Sequence, residues 1–486
     1  MANYINCCPD IKGFCVPGGD GKNIKMIQYA DDATCIASSS NDVHLFLRIF
    51  DMFQTATGAT INTGKYFGLM SGNEFRSLPS NINWSNCSIK ITGIVFGSKD
   101  AINEFWSSKV IKAKDRIKSL FGRHLTLLGK VHFINTFVYP LFYFVAPVFP
   151  LPDFVLKEMN KITYSFLWGN KPDLVAREVV CSSRSVGGLG LHSFKLKMEA
   201  LFVKHFFGFL SNIPPTFLKI SRYFMAKPLH KIFPSIWSNG RPNSSVCSAN
   251  LSKACKVLHE LYAFDQDLFV NVPSTRKIVT SRQKKVSPCI VRKNTSLDWN
   301  NVWPTVFNQL LDNKLKDFQW RLAHDILYTN KKVAKWGKSD GLCPSANCND
   351  VETSSHIFWQ CTKISPVILW LSKILNSILK VDCNLNFDYY MYGLEPQTIC
   401  NISKLTSDRI RFIFCISKFI IWKSRCLQVF EDLNIPASQI MSNIVKEIKL
   451  RVKLDQYRYS IRKFDKLWIE GNSFVKRNDN VLMFDI

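Results

Sequence analysis

Two adjacent aspartates stand between short apolar runs near the N-terminus, in the sequence Tyr29-Ala30-Asp31-Asp32. Met26 and Ile27 lead in, and Ala33, Cys35, Ile36 and Ala37 lead out. Two strand-like runs around a polar tip read as a β-hairpin with paired carboxylates at its turn. Neighbouring carboxylates repel, so a fold seldom presents such a pair at a tight turn without a cation to hold it. Two-metal phosphoryl transfer needs such a cluster, because hard divalent ions take oxygen ligands and clamp the attacking and leaving oxygens. The tip thus commits the N-terminal segment to a sheet and points to divalent-cation chemistry.

A chain of 486 residues has room for roughly two to four domains. Lys and Arg number 63 against 37 Asp and Glu, a net charge of +26. Internal ion pairs cannot neutralise that surplus. A polyanionic partner is expected, nucleic acid before an acidic membrane surface. Apolar residues make up 47% of the chain, enough to bury a core and to exclude wholesale disorder. The 16 cysteines are mostly scattered singly, and no charged-then-apolar leader opens the sequence. This reads as a reducing, intracellular setting, with nucleus or cytoplasm left open. Residues 125–149 are very apolar but carry Lys130, His132, Asn135 and Pro140, so a buried helix pair is expected rather than a membrane span.

The order of patterns predicts an α+β N-terminal part followed by mostly helical segments. A hairpin over 24–38 precedes a helix over 41–57, capped by Asn41 or Asp42 and ending near Gly58. Strands follow at 66–70 and 89–96, with Gly93 and Gly97 marking turns or close backbone approach. A helix over 101–123 has Trp106, Val110 and Ile117 on a core face and Lys109, Lys112 and Arg116 among its cations. Charge of one sign favours contact with a phosphate backbone over a merely solvated face, which usually mixes signs. Helices continue over 125–147, 153–168 and 195–210, with Gly187-Gly188-Leu189-Gly190-Leu191 as a break. Residues 212–300 read as a loose or helical connector with a basic linker. Two long patterns, 405–430 and 436–468, are basic on one side. Arg409, Arg411, Lys418, Lys423 and Arg425 lie in the first. Those faces either add nucleic-acid affinity or are only solvated.

A second cluster has the spacing Cys343-x4-Cys348-x7-His356-x4-Cys361. Three thiols and one imidazole suit tetrahedral Zn2+, and four protein ligands leave no open position, so the metal would be structural. The alternative is three unliganded cysteines and a surface histidine at accidental spacing. His324, on an amphipathic pattern over 318–327, reads as a helix-surface or core-edge residue rather than a ligand.

The run Ile11-Lys12-Gly13, Pro17-Gly18-Gly19 and Gln28-Tyr29-Ala30-Asp31-Asp32-Ala33 resembles the third palm motif of reverse transcriptases from LINE-type, non-LTR retrotransposons. Residues 53–65, with Gly58, Asn62 and Lys65, are similar to the next palm motif. Ile91-Thr92-Gly93-Ile94 resembles the strand supporting the primer end. Gly187-Gly188-Leu189-Gly190-Leu191 resembles a segment after the thumb. The Cys343, Cys348, His356 and Cys361 set is similar to the zinc-binding domain downstream of such polymerases.

The resemblance implies a partial palm over 1–98, a helical thumb and post-thumb region over 99–211, a connector over 212–300, a zinc-binding domain over 301–366 and a basic helical region over 367–486. It implies RNA-directed DNA synthesis with an RNA template and a DNA primer. Asp31 and Asp32 would bind Mg2+, which activates the primer hydroxyl and stabilises the leaving pyrophosphate. Tyr29 would lie near the primer terminus and Lys65 near the nucleotide phosphates. The helix carrying Lys109, Lys112 and Arg116 would hold the duplex. Such polymerases also use an Asp on an earlier strand, and fingers. Asp10 and Asp20 match neither motif nor context, and only 28 residues precede Tyr29. The expectation is therefore the C-terminal half of a polymerase, inactive without its N-terminal half. The competing expectation is a non-catalytic nucleic-acid-binding remnant.

Overall fold

A computed structural model describes residues 1–17, 21, 23–30, 32–60, 62–72, 78–120, 122–210, 216–232, 248–283, 286–346, 348–396, 402–471, 473–478 and 481–485. They form two compact units. One comprises Met1–Arg123, Phe133–Phe166 and His192–Lys284; the other His124–His132, Leu167–Leu191 and Lys285–Ile486. The described residues are mostly helical with small two-stranded sheets, the α+β class expected.

In the first unit, Met26–Tyr29 pairs antiparallel with Asp32–Cys35, Tyr29 opposite Asp32. Alternation sends Met26 and Cys35 inward, against Ile5, Ile11, Phe46 and Ile49. The helix Ser40–Thr57 covers this layer. Its cap is Ser39, whose hydroxyl accepts from the Asp42 amide, and it stops at Gly58 in the left-handed conformation. The cap therefore falls earlier than the Asn41 or Asp42 expected. The strand expected over 89–96 is instead a hairpin, Ser88–Ile91 with Ile94–Gly97. Thr92 and Gly93 turn with φ of 46° and 86°, the paired positive values a two-residue hairpin loop favours.

The helix Lys99–Lys118, capped by Ser98, buries Trp106, Val110, Ala113 and Ile117, and Trp106 stacks on Phe142 at 6.1 Å. Beyond residue 212 the helices Thr216–Leu229, Ala249–Phe264 and Thr275–Arg282 pack with Phe194–Val203 around Phe207, Leu258, Leu261 and Ile278. Arg282 closes that cluster, with Glu199 at 2.6 Å and Glu260 at 2.5 Å. Among the described residues of this stretch, the helical alternative is the one adopted. Of the basic linker expected there, Lys284-Lys285 lies outside the described residues, and Arg292-Lys293 ends the short helix Cys289–Lys293. The apolar stretch 125–149 breaks into Leu127–Phe133, a wide π turn at Ile134–Val138, and Pro140–Tyr143. Among the described residues no helix is long and apolar enough to cross a membrane.

The second unit is built around the helix Lys404–Glu431, flanked by Asn313–Ala323, Ser365–Leu379 and Ala437–Arg458. The helix expected over 436–468 is interrupted. Tyr459 is extended, and a new helix, Ile461–Trp468, follows Ser460. A small hairpin, Val475–Asn478 with Val481–Phe484, comes after it. The glycine break is gripped by this unit's aromatics. Gly187 has φ of 88°, and a Cβ there would meet Trp303 at 2.7 Å. Its carbonyl accepts from Trp320 Nε1 at 3.0 Å and lies 2.8 Å from His324 Nε2. Burial pushes His324 down to about 4, so it is a neutral imidazole donating to that carbonyl inside the core.

The basic face expected on residues 405–430 is turned inward. Of its five cations only Lys423 is exposed. Arg409 is fully buried and donates to the carbonyls of Leu467 at 2.9 Å and Glu470 at 2.7 Å, neutralising the end of the helix Ile461–Trp468. Lys418 donates to the carbonyls of Tyr390 at 2.9 Å and Met391 at 2.8 Å. Arg425 pairs with Glu352. These cations reach backbone or carboxylate oxygens that solvent does not, so neither alternative, nucleic-acid contact or solvation, applies to them.

Burial pushes the Lys418 ammonium down to about 8 from 10.5. Between those values the unfolded chain holds more protons than the folded one, so this group makes stability rise with pH. The rise is on the order of 3 kcal/mol over the full window. Urea denaturation at pH 8 and pH 10 checks it. The stability of the wild type minus that of Lys418→Met is expected to grow between the two; a constant difference contradicts the assignment.

Candidate metal centre and carboxylate hairpin

Residues 341–361 fold into a loop that brings four ligand atoms together. Leu342 and Val351 form an antiparallel bridge, with the Cys343 amide donating to Asp350 O and the Glu352 amide to Gly341 O. This returns the chain so that Cys343 and Cys348 face the next turn. That turn, His356–Gln360, is π-helical, and the Cys361 amide bonds to His356 O at 2.9 Å. An α-helix would rotate residues five apart by about 140° from one another. The wider turn keeps His356 and Cys361 on one side.

The Sγ atoms of Cys343, Cys348 and Cys361 and a ring nitrogen of His356 all lie within 4.8 Å of one another. Cys343 Sγ is 3.9 Å from Cys361 Sγ, and Cys348 Sγ is 3.4 Å from His356 Nε2. Bond lengths of about 2.3 Å for Zn–S and 2.0–2.1 Å for Zn–N give tetrahedral edges of about 3.8 Å and 3.6 Å. The donor set therefore fits a tetrahedral ion, and its four ligands are a structural complement. His356 turns Nε2 toward Cys348 and has Nδ1 3.7 Å from Asp350 Oδ2, the side on which carboxylates orient metal-bound imidazoles. The Cys361 thiol is held down to about 7, first by a hydrogen bond from Cys343, whose own pKa is pushed up to about 12 by the same contact. Cys361 is thus the readier thiolate.

The loop is clamped from beneath by Glu352, a residue that the ligand spacing does not single out. Glu352 has 0% exposure. Its two oxygens accept from Arg425 Nε at 2.9 Å and Nη2 at 2.6 Å, and the Asn330 amide adds a bond at 2.5 Å. Gln428 Nε2 donates to Pro344 O at 2.6 Å from the same helix. The available signal for Arg425 was its position four residues after Ile421, on the apolar stripe of Lys404–Glu431.

In the first unit the outward face of the first hairpin carries Ile27, Tyr29, Asp32 and Thr34, since opposed residues of an antiparallel pair share a face. Tyr29 is 76% exposed and Asp32 is exposed. Asp31 lies outside the described residues. Ala30 sits at φ of 52°, a left-handed conformation that disfavours alanine by about 1–2 kcal/mol. Lys65 is exposed in the short turn Thr63–Lys65 after the covering helix.

On the helix Lys99–Lys118, Lys112 and Arg116 are exposed while Lys109 is half-buried over the Phe105 ring at 4.7 Å. Burial first, then the charges of Lys112 and Lys90, holds the Lys109 ammonium below its usual value. Arg116 donates to Phe137 O.

Asp42, expected only as a candidate helix cap, has a further role in this unit. Its carboxylate accepts from the amides of Ser38 at 2.9 Å, Gly13 at 3.2 Å and Lys12 at 3.3 Å. Burial would raise its pKa, but those bonds outweigh it and hold the carboxyl below the usual range. Asp42 thereby ties Lys12-Gly13 to the hairpin layer. Its signal was the Ser-x-x-Asp spacing from Ser39, an N-terminal capping pattern.

Compared with known proteins, 172 residues of the chain, 35% of its length, align at 22% identity with the Transposon TX1 uncharacterized 149 kDa protein of Xenopus laevis. The aligned stretch covers 12% of that protein. No family model matches the chain. The chain is thus a distant relative of a transposon-encoded protein.

Proposed function

We propose that this chain carries the later palm, thumb and zinc-binding portions of a LINE-type retrotransposon reverse transcriptase, whose reaction is RNA-directed DNA synthesis. The observation that carries the reading is the two-residue hairpin of Tyr29 to Asp32. Its register sets Tyr29 opposite Asp32 on an exposed face, with Ala30 in the left-handed conformation after Tyr29. Distant similarity to a transposon protein and the Cys3His set downstream support it. In this reading Asp31 and Asp32 are carboxylate ligands for Mg2+. They would hold the ion, whose chemistry when bound would be to lower the pKa of the primer hydroxyl and to offset charge on the leaving pyrophosphate. Tyr29 lies against the primer end, Lys65 attracts nucleotide phosphate, and Lys109, Lys112 and Arg116 contact the duplex backbone. The zinc module is structural.

Primer extension on an RNA template tests this, with the chain alone and with the N-terminal half of the polymerase supplied. Synthesis is expected in the supplemented reaction and is expected to fall by at least about a thousandfold with Asp31→Asn or Asp32→Asn, as for groups acting only in the transition state. Synthesis indifferent to both substitutions contradicts the assignment. Template–primer binding without synthesis in either arrangement favours the second reading, a nucleic-acid-binding module without catalysis, for which the surplus of 26 positive charges speaks.

A further inference from the structure

We propose that the outer side of the helix Ala437–Arg458 is a docking surface for an acidic amphipathic helix of a partner protein. The inner side of this helix is already used, with Ile440, Ile444, Ile448 and Val452 buried in the second unit. The outer side nevertheless carries a second apolar line. Leu450 is 50% exposed, Leu454 56% and Tyr457 89%, and Ile461, at the start of the next helix, is 71% exposed. Leu450, Leu454 and Tyr457 are spaced by four and three residues, the interval of a helix–helix seam in which each side chain fills a gap on a facing helix, and Ile461 follows beyond the break at Tyr459 and Ser460. A merely solvated face would not repeat large apolar residues at that interval.

The charge beside the line selects the occupant. Lys446 and Lys453 flank it on one edge and Arg458 on the other, all exposed. Glu447 is the one exposed acid between Lys446 and Arg458. A second copy of this helix would bring cations against cations, which disfavours pairing. A facing helix with aliphatic seam positions and Glu or Asp at the flanks meets both features. Single-stranded nucleic acid fits less well, because it is gripped by aromatic platforms and three of the four exposed apolar residues are aliphatic. The proposal does not depend on the polymerase reading, since it rests on a surface remote in sequence from Asp32.

The test uses the full-length zinc-loaded protein and a fluorescein-labelled synthetic helix of three heptads, with Leu at the seam and Glu at the flanks. Anisotropy is expected to show saturable binding, weakened at least tenfold by Leu454→Ser combined with Tyr457→Ser. Both residues are exposed, and unchanged zinc content and melting temperature of the variant establish that it folds. Equal binding of a peptide with Lys flanks, or of a scrambled peptide of the same composition, overturns the proposal. So does unchanged binding by the variant. Failure of the Glu peptide, with the variant losing affinity for a uridine oligonucleotide or for phosphatidylserine vesicles, also overturns it and assigns the surface to that anion.

Discussion

Replacing Cys361 with serine is expected to abolish stoichiometric zinc binding and to unfold much of the second unit at physiological temperature. The four ligands come from a loop whose described residues form one bridge and one wide turn, so a bound ion would supply the closure that secondary structure does not. Structural zinc contributes apparent free energies of about 10–16 kcal/mol in isolated finger peptides. Even a third of that is comparable with the roughly 5–15 kcal/mol that holds a whole domain together. Cys361 and Ile364 belong to the same buried cluster as Val367 and Leu371, so the disturbance reaches the helix Ser365–Leu379. Metal analysis of the full-length protein should give about one zinc per chain and well under half an equivalent in the variant. Limited proteolysis should cut the variant within residues 330–365 first. A wild-type protein with little zinc, melting at the same temperature as the variant, would sink the assignment.

Glu352→Ala is expected to destabilise the second unit by about 3–5 kcal/mol without removing a metal ligand. The carboxylate is fully buried and receives two bonds from Arg425, which is itself buried, and one from the Asn330 amide. Deleting it leaves an uncompensated guanidinium inside the protein, the circumstance in which breaking a buried pair is most damaging. Replacing both partners, Glu352→Met with Arg425→Met, should recover most of the loss, because the second apolar side chain removes the stranded charge. Chemical denaturation of the single and double variants at saturating zinc measures the difference. A single variant as stable as the double would mean that the pair contributes no net coupling.

These two residues also mark where the sequence was legible and where it was not. Helix existence followed from periodicity. The expectation over 153–168 matches Asp153–Trp168, and that over 405–430 matches Lys404–Glu431 within a residue at each end. The ligand set was legible because thiols and an imidazole at close spacing have few other uses. The direction of the cations was not. Arg409, Lys418 and Arg425 were assigned to a basic face by their charge, although each lies four residues from Ile413, Phe414 or Ile421 on the buried stripe. What holds them there are carbonyls at the ends of other helices and one carboxylate more than 70 residues away, contacts that local pattern cannot show. The strand over 89–96 failed for a local reason: Thr92 needs a positive φ that threonine seldom takes, so only Gly93 advertised the turn.

The inward-facing cations change how the formal charge of +26 should be used. Binding to a duplex releases condensed counterions, and the logarithm of affinity falls with the logarithm of salt by about 0.9 for each phosphate neutralised. Arg409, Lys418 and Arg425 displace no counterion, because they never meet a phosphate. On the proposed duplex contact, the slope would therefore count exposed cations alone. Lys112→Ala should reduce it by about one unit, whereas a folded Lys418→Met protein should keep the wild-type slope.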